Sequence, residues 1–250
     1  MRALDHARPV LAATVAAVLL AGCGTSTVSP VADPGTPTAS PRSNAPSRTQ
    51  PGRTFDTHAH STTDPTSIWV VVNKTHPIRP LTFRPQLGIV RGYQVAEPVV
   101  GPLTDLLAAS DAAHLGFKIA SAFRSYEYQV GVHGALVTSQ GQQAADRVSA
   151  RPGYSEHQTG LAVDLVTPGN PTCDFDQCFA QTPGGRWLTA HAWEFGFLVR
   201  YTEGNEAVTG YEPEPWHLRY VGKPLAAAMH AAGITTLEQF LGVPGGDYPR

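Results

Sequence analysis

Residues 155–164 read SEHQTGLAVD and combine an imidazole with a carboxylate at a spacing that suits metal binding. If Gly160 begins a strand, alternate apolar residues face the core, and the small residues and Asp164 face the opposite side. The small residues leave room above the sheet, into which Asp164 would project. His157 lies on a turn-like approach and can fold back to the same space. A histidine and a carboxylate that converge on a cleft are, in outline, a pair of metal ligands.

The segment 214–217, EPWH, supplies a third candidate ligand, His217, together with a second carboxylate, Glu214. Two histidines and one aspartate would leave the fourth position of a zinc ion for water, as catalytic zinc requires. Zinc lowers the pKa of such a water from about 16 to about 7. Glu214, beside the water rather than on the metal, could carry its proton to a leaving amine. The His-Glu-x-x-His motif of many metalloproteases does not occur in the sequence.

Each of these residues alone also has an ordinary structural explanation. A lone histidine is often a satisfied polar group, Asp164 could cap a turn, and Glu214 could be a surface charge. Their combination, with small residues at the matching strand positions, favours a metal site.

The elements that must position these residues are indicated by hydrophobic periodicity and by glycine and proline. Strands are predicted over 68–72, 117–123, 160–166, 197–201 and 217–221. Helices are predicted over 102–115, 125–148, 186–195 and 223–241, the last with a break at Gly233. Strands separated by unequal helical insertions indicate an α+β fold rather than a regular parallel array.

Three segments of the sequence closely resemble the VanY-type D-alanyl-D-alanine carboxypeptidases, peptidase family M15, subfamily B. They are residues 121–129, SAFRSYEYQ; residues 149–164, SARPGYSEHQTGLAVD; and residues 214–222, EPWHLRYVG. Residues 72–78, VNKTHPI, also resemble the entry strand of that family. The resemblance runs from about residue 67 to residue 222, which is nearly the whole predicted folded unit.

The resemblance implies a zinc site, a fold and a substrate. The implied ligands of one Zn²⁺ are His157, Asp164 and His217, with Glu214 as catalytic base. The implied fold is a small antiparallel sheet with flanking helices, shared with the Hedgehog amino-terminal domain. The implied reaction is hydrolysis of the terminal D-Ala-D-Ala bond of peptidoglycan stem peptides, which releases D-alanine.

Arg124 matches the active-site arginine of the family. Its planar guanidinium suits an anionic partner, either the developing oxyanion of the scissile carbonyl or the terminal carboxylate of the substrate. Further expected substrate contacts are Ser155, Tyr154 and Gln129.

Two other readings of the same residues stay open. One is a related specificity, such as a D,D-dipeptidase, an L,D-carboxypeptidase or a stem-peptide endopeptidase, with the same metal site and a different rim. The other is a non-catalytic lipoprotein that binds peptidoglycan. The presence of Glu214 argues against the second, because binding alone does not need a base.

The amino terminus predicts export and lipid anchoring. Residues 1–22 combine early arginines with a short apolar run and read as a signal peptide rather than a membrane span. They end before Cys23 in a sequence that resembles the bacterial lipoprotein box, so Cys23 is the expected lipidation site. Residues 23–66 are predicted to be a disordered tether, and residues 67–250 the catalytic domain. The expected location is the outer face of the bacterial cytoplasmic membrane.

Composition and cysteine count exclude several other classes of protein. The formal charge of -2 gives no sign of a nucleic-acid-binding surface. After the signal peptide, no stretch of 18 apolar residues exists that could cross a bilayer. With Cys23 lipidated, Cys173 and Cys178 remain as a pair, and an oxidising compartment favours a disulfide between them. Two thiolates could instead bind a metal, but no partner pair is visible. A monomer is expected.

Overall fold

Two antiparallel sheets organise the part of the chain, residues 55–249, that the computed structural model describes. A hairpin joins β1 (Leu87–Val90) to β2 (Tyr93–Ala96). The main sheet has four strands in the order β3-β4-β6-β5, all antiparallel. These strands are β3 (Lys118–Ser121), β4 (Ala162–Val166), β5 (Phe197–Tyr201) and β6 (Glu214–Tyr220). With the flanking helices, this arrangement confirms the α+β prediction.

Seven α-helices surround the sheets in this part of the chain. They are α1 (Val100–Ala112), α2 (Tyr126–Gln140), α3 (Gln142–Val148), α4 (Pro183–His191), α5 (Glu206–Thr209), α6 (Lys223–Ala232) and α7 (Leu237–Leu241). Three of them begin at a hydroxyl that accepts a backbone N–H of the first turn, as helix N-caps do: Ser125, Thr182 and Thr236. All four predicted helical segments contain helix, and the predicted break at Gly233 separates α6 from α7.

The core lies in two clusters of buried apolar side chains. In the larger cluster, α1 packs Leu103 and Leu107 against the sheet, where Val163 and Leu165 of β4 are completely buried. The smaller cluster lies around α6. Because Val163 and Leu165 face the larger core, Asp164 between them must face the other side of β4.

The apolar run 68–72, predicted to be a strand, has no strand partner in the described structure. Its side chains nevertheless alternate, since Val70 and Val72 join the larger core cluster while Trp69 and Val71 join the smaller one. Its carbonyls bind a side chain instead of a neighbouring strand, because Arg219 Nη2 donates to the carbonyls of Ile68 and Val70. The predicted strand at 68–72 is therefore wrong, although the segment has the alternating side-chain directions of an extended chain.

Several strand boundaries and one hairpin also differ from the predictions, and β6 begins at Glu214 rather than at His217. β4 begins at Ala162 rather than Gly160, which has a left-handed conformation at the end of the preceding 3₁₀ helix (Glu156–Thr159). The hairpin formed by β1 and β2 was not predicted.

The start of the folded unit also needs a correction. Residues 55–66, predicted as the end of the tether, contain Phe55, which packs against Trp69 and Phe240 with ring centroids 5.5 and 5.7 Å away. The predicted signal peptide, the Cys23 lipidation site and most of the tether lie outside the described residues. Within residues 55–249, no helix has the length and apolar character that a membrane span needs.

A substitution at Gly160 should show how tightly the hairpin packs on the turn before β4. Gly160 has φ +68°, and an added Cβ would lie 2.7 Å from the backbone nitrogen of Ala96. Gly92 also has positive φ, at +88°, but an added Cβ there meets nothing within 4 Å. We expect Gly92→Ala to lower the free energy of unfolding by about 1–2 kcal/mol, from backbone strain alone. Gly160→Ala should lose about 1–3 kcal/mol more, because Ala96 must move.

Denaturant unfolding of both variants measures this difference. Equal losses would show that the Gly160–Ala96 contact is not tightly packed.

Candidate metal centre and cleft

Asp164 and His217 face each other across two neighbouring strands. They are paired in register between β4 and β6, and directly opposed residues of antiparallel strands hold their Cβ atoms about 5 Å apart. Asp164 Oδ1 lies 3.3 Å from His217 Nδ1, and both side chains are nearly inaccessible. The register of the sheet therefore fixes this pair, with no dependence on a flexible loop.

An irregularity in β6 brings Glu214 to the same place. Between the Val199–Leu218 pair and the Tyr201–Glu214 pair, β5 advances two residues while β6 advances four. Bulges of this kind redirect side chains. Glu214 and His217 have opposite strand parity, yet Glu214 Oε2 lies 3.3 Å from His217 Nδ1.

His157 reaches the site from the 3₁₀ helix before β4. Its Nδ1 lies 2.7 Å from the carbonyl oxygen of Ala122, so Nδ1 carries the proton and donates. Its Nε2 then holds a lone pair and lies 3.3 Å from Asp164 Oδ2. One ligand atom each from His157, Asp164 and His217 can be chosen so that all three lie within 4.8 Å of one another. The structure thus brings together the three predicted metal ligands.

The chemistry of this cluster fits a cation. His157 Nε2 and Asp164 Oδ1 are buried and have no hydrogen-bond partner among residues 55–249. Lone pairs that face each other in a buried site repel unless a positive charge lies between them. Burial, and next the charge of Arg124, lowers the pKa of His157 to about 4, so the imidazole stays neutral at neutral pH, as a metal ligand must.

His217 is surrounded by carboxylates. Burial opposes a charge on its ring, but the neighbouring carboxylates of Asp164, Glu156 and Glu214 outweigh burial and raise the pKa of His217 well above its usual value. Its Nδ1 faces Asp164 and Glu214, while its Nε2 lies 3.3 Å from Glu156 Oε2. A divalent ion would take the place of the ring proton, since metal binding releases protons from its ligands.

Glu156 is a residue of this site that the sequence analysis missed. Its side chain is completely buried and accepts hydrogen bonds of 2.8 Å from Arg200 and from Arg219. Burial opposes its ionisation, but the two arginines outweigh burial and hold the pKa of Glu156 well below its usual value. The sequence carried one signal for such a residue. Each of two apolar strand segments contains an arginine, and a buried arginine needs an anionic partner.

Arg124 lies at the edge of the metal cluster. Its Nη1 donates to Ser121 Oγ at 3.0 Å and lies 3.5 Å from Asp164 Oδ2. Its Nε is buried and has no hydrogen-bond partner among the described residues. The side chain is 21% exposed, so it presents donors to the cleft.

An open cleft of about 780 Å³ contains these groups and extends well beyond them. One wall continues along α2 and α3, where Val132, Leu136 and Val148 line it. The opposite rim comes from the loop after β4 and includes residues 175–177. Phe175 is 53% exposed, and its ring centroid lies 5.9 Å from that of Trp216.

The predicted disulfide is present in this rim loop. Cys173 and Cys178 are bonded, with their Cα atoms 5.3 Å apart. The bond closes the loop that carries Phe175, so this covalent link limits the positions that the rim can take.

The three expected substrate contacts other than Arg124 lie in different places. Ser155 is buried and lines the cleft. Tyr154 is not among the lining residues, and its ring packs on Tyr248 with centroids 5.2 Å apart. Gln129 is fully buried, and its Nε2 donates to the carbonyl of Ala150 at 2.8 Å. Of the three residues, the structure places only Ser155 in the lining of the cleft, whereas Tyr154 and Gln129 contact other side chains and backbone of the fold.

The sequence and the fold of this chain are similar to those of known proteins. The family model described as "VanY: D-alanyl-D-alanine carboxypeptidase" matches residues 93–223, more than half of the chain. The chain belongs to the VanY family. YodJ of Bacillus subtilis, whose name marks it as an unconfirmed carboxypeptidase, is 39% identical over 127 residues. That match covers 50% of this chain and 46% of YodJ, so the chain spans about half the length of this relative.

Two solved structures of similar fold cover most of the described chain. The LD-carboxypeptidase LdcB matches with a TM-score of 0.66 at 31% identity, over 72% of this chain and 88% of LdcB. A mutant of the vancomycin resistance D,D-pentapeptidase VanY, in complex with Zn(II), matches with a TM-score of 0.60 at 31% identity. That match covers 70% of this chain and 98% of VanY. All residues of the metal cluster lie inside the family match.

Zinc should stabilise the folded protein through Asp164. A ligand that binds only the native state at about 1,000 times its Kd adds about 4 kcal/mol to the free energy of unfolding. We expect a gain of this size for the wild-type protein on zinc addition and most of it to be lost in Asp164→Asn, because an amide is a poor zinc ligand.

Asp176→Asn is the matched control. Asp176 also lines the cleft but lies outside the cluster, and asparagine keeps its capping acceptor for the backbone N–H of Cys178. Thermal unfolding with zinc and with a chelator measures the effect. An equal zinc response in both variants would exclude Asp164 as a ligand.

Proposed function

We propose that this chain is a zinc-dependent D,D-carboxypeptidase that hydrolyses the terminal D-Ala-D-Ala bond of peptidoglycan stem peptides and releases D-alanine. One observation carries the proposal. Ligand atoms of His157, Asp164 and His217 converge within 4.8 Å, with Glu214 beside them, at the base of an open cleft. The similarity to a Zn(II) complex of VanY supports zinc as the metal.

In this proposal His157, Asp164 and His217 would hold one Zn²⁺, and the bound ion would supply an activated water and polarise the scissile carbonyl. Glu214 accepts the proton of the attacking water and passes it to the leaving nitrogen of D-alanine. Burial raises the pKa of Glu214, although its contact with His217 opposes the shift. A raised pKa suits both halves of this role, because the carboxylate becomes a stronger base and its acid forms more readily.

Arg124 is the proposed partner of substrate anions. Its buried Nε has no partner within the described residues and is held in place by the Nη1 bond to Ser121. A donor aimed at a developing oxyanion contributes about 3–4 kcal/mol to transition-state stabilisation. The planar guanidinium of Arg124, with its several N–H donors, also suits the terminal carboxylate of the substrate.

The extent of the cleft favours a carboxypeptidase over a dipeptidase. A dipeptidase needs a closed pocket that caps a free amine, whereas a carboxypeptidase needs a cleft open to the rest of the peptide. Here the cleft continues past the metal cluster to Val132, Leu136 and Val148. Its volume of about 780 Å³ exceeds what two alanine residues fill. Ser155 lines this cleft and is proposed to contact the peptide.

L,D-carboxypeptidase activity is a second candidate. It is favoured by the match to LdcB, whose TM-score of 0.66 is higher than that of the VanY complex. The two activities differ in the residue before the scissile bond, which has D configuration in one substrate and L in the other.

We also propose that the enzyme acts outside the cytoplasm, anchored by lipid on Cys23 after removal of residues 1–22. The Cys173–Cys178 disulfide supports an oxidising compartment. The substrate, peptidoglycan, lies on that side of the membrane. The segment after Cys23 would act as a spacer between the membrane and the catalytic domain, which is proposed to work as a monomer.

Replacement of Glu214 should separate metal binding from turnover. We expect Glu214→Ala to keep its zinc and to lose about 10²–10⁴-fold in kcat, because a general acid–base group is removed. Glu212→Ala is the control, since Glu212 lines the same cleft but pairs with Arg147. Release of D-alanine and zinc content per chain measure the two properties. Full activity of Glu214→Ala would refute its role.

The substrate can be identified with two stem peptides that differ at the carboxyl end. We expect the zinc-loaded protein to release D-alanine from a pentapeptide that ends in D-Ala-D-Ala, and a chelator to abolish the release. Preference for a tetrapeptide that ends in a single D-alanine would instead establish the L,D-carboxypeptidase. Binding of both peptides without hydrolysis would leave only a peptidoglycan-binding role.

A further inference from the structure

The buried carboxylate of Glu156 contacts the proposed metal ligand His217 at Nε2, the ring nitrogen that faces away from Asp164. Glu156 lies next to His157 in the 3₁₀ helix, but its side chain is enclosed on the far side of His217 from Asp164. Its Oε2 is 3.3 Å from His217 Nε2, while its Oε1 accepts hydrogen bonds from both Arg200 and Arg219.

Both arginines are fixed by other partners, so they hold Glu156 in one position. Arg200 donates to both carboxylate oxygens of Glu238, at 3.0 and 2.7 Å. Arg219 donates to the carbonyls of Tyr220, Ile68 and Val70. Neither guanidinium is exposed. The carboxylate therefore belongs to a buried network whose hydrogen bonds reach β5, β6, α7 and the 68–72 segment.

Carboxylates face both nitrogens of His217. With a metal ion on the side of Asp164 and Glu214, the ring would be neutral, and Glu156 would decide which nitrogen carries its one proton. A carboxylate only accepts hydrogen bonds, so His217 must donate from Nε2. A neutral imidazole then has its lone pair on Nδ1, the nitrogen that faces Asp164 and Glu214 at 3.3 Å. The carbonyl of Ala122 does the same for His157 by accepting from its Nδ1.

We infer that Glu156 is a positioning residue, which holds His217 in the tautomer and orientation that present Nδ1 to the metal. The inference rests on the proposed zinc site. Carboxylates that accept from the outer N–H of a metal-bound histidine fix the ring and increase its basicity, and their loss weakens metal binding about 10–100-fold.

Glu156→Gln tests this role with little change in shape. Arginines only donate, so the amide oxygen must face Arg200 and Arg219, which turns the amide NH₂ toward His217. His217 Nε2 must then accept, and the ring proton moves to Nδ1, where it blocks the metal. We expect the Kd for zinc to rise about 10–100-fold.

Glu238→Gln is the matched control. It removes a buried carboxylate from the same network and also weakens the hold on Arg200, but Glu238 does not contact His217. Zinc affinity is measured by competition with a chelator on the stripped proteins, and thermal unfolding without zinc compares the two variants as folded chains. We expect similar unfolding temperatures and a raised Kd only in Glu156→Gln.

Equal zinc affinity of the two variants would overturn the inference while leaving the zinc site intact. Failure of the wild-type protein to bind zinc would overturn the proposed function and this inference together. If Glu156→Gln does not fold, ¹⁵N spectra of the histidine rings in the zinc-loaded wild-type protein provide the test. A proton on Nε2 of His217 supports the inference, and a proton on Nδ1 overturns it.

Discussion

The structure of the site depends on one constraint, which is the burial of two negatively charged carboxylates. Asp164 and Glu156 are both inaccessible to solvent, one on each side of the His217 ring. A buried carboxylate is costly unless a positive charge and hydrogen bonds compensate it. Two arginines compensate Glu156 from within the protein. Among the described residues, Asp164 has Arg124 at 3.5 Å and two imidazoles, so its charge is less fully compensated, and a divalent ion bound there would complete the compensation.

Backbone hydrogen bonding of the fold positions the residues of the metal cluster. Strand register sets Asp164 opposite His217, a bulge in the same strand brings in Glu214, and a backbone carbonyl orients His157. Substrate-facing groups come instead from loops and helix surfaces around the cleft. Chemistry that needs fixed geometry is thus separated from recognition, which needs a shape matched to a longer ligand.

Sequence reasoning reached the metal cluster because its signals are local. Small residues that alternate with apolar ones predicted the free face of β4, and the residues around His217 resembled a family motif. The network around Glu156 depends on arginines of β5 and β6 that meet only in three dimensions, so sequence spacing did not reveal it. The run 68–72 shows the same limit, because a continuous apolar segment indicates burial but not whether a neighbouring strand exists to pair with it. Gln129, expected to contact the substrate, is completely buried and is not among the residues that line the cleft.

The short covalent ring closed by Cys173 and Cys178 has a consequence for how such enzymes can diversify. Only residues 174–177 lie inside the ring, and three of these four line the cleft. Phe179, just outside it, is completely buried and joins the core. Mutations within the ring can therefore reshape the entrance while the cross-link and the Phe179 anchor keep the change from reaching β4 or α4. The covalent ring therefore lets the rim of the cleft vary in sequence independently of the strands that carry the metal cluster.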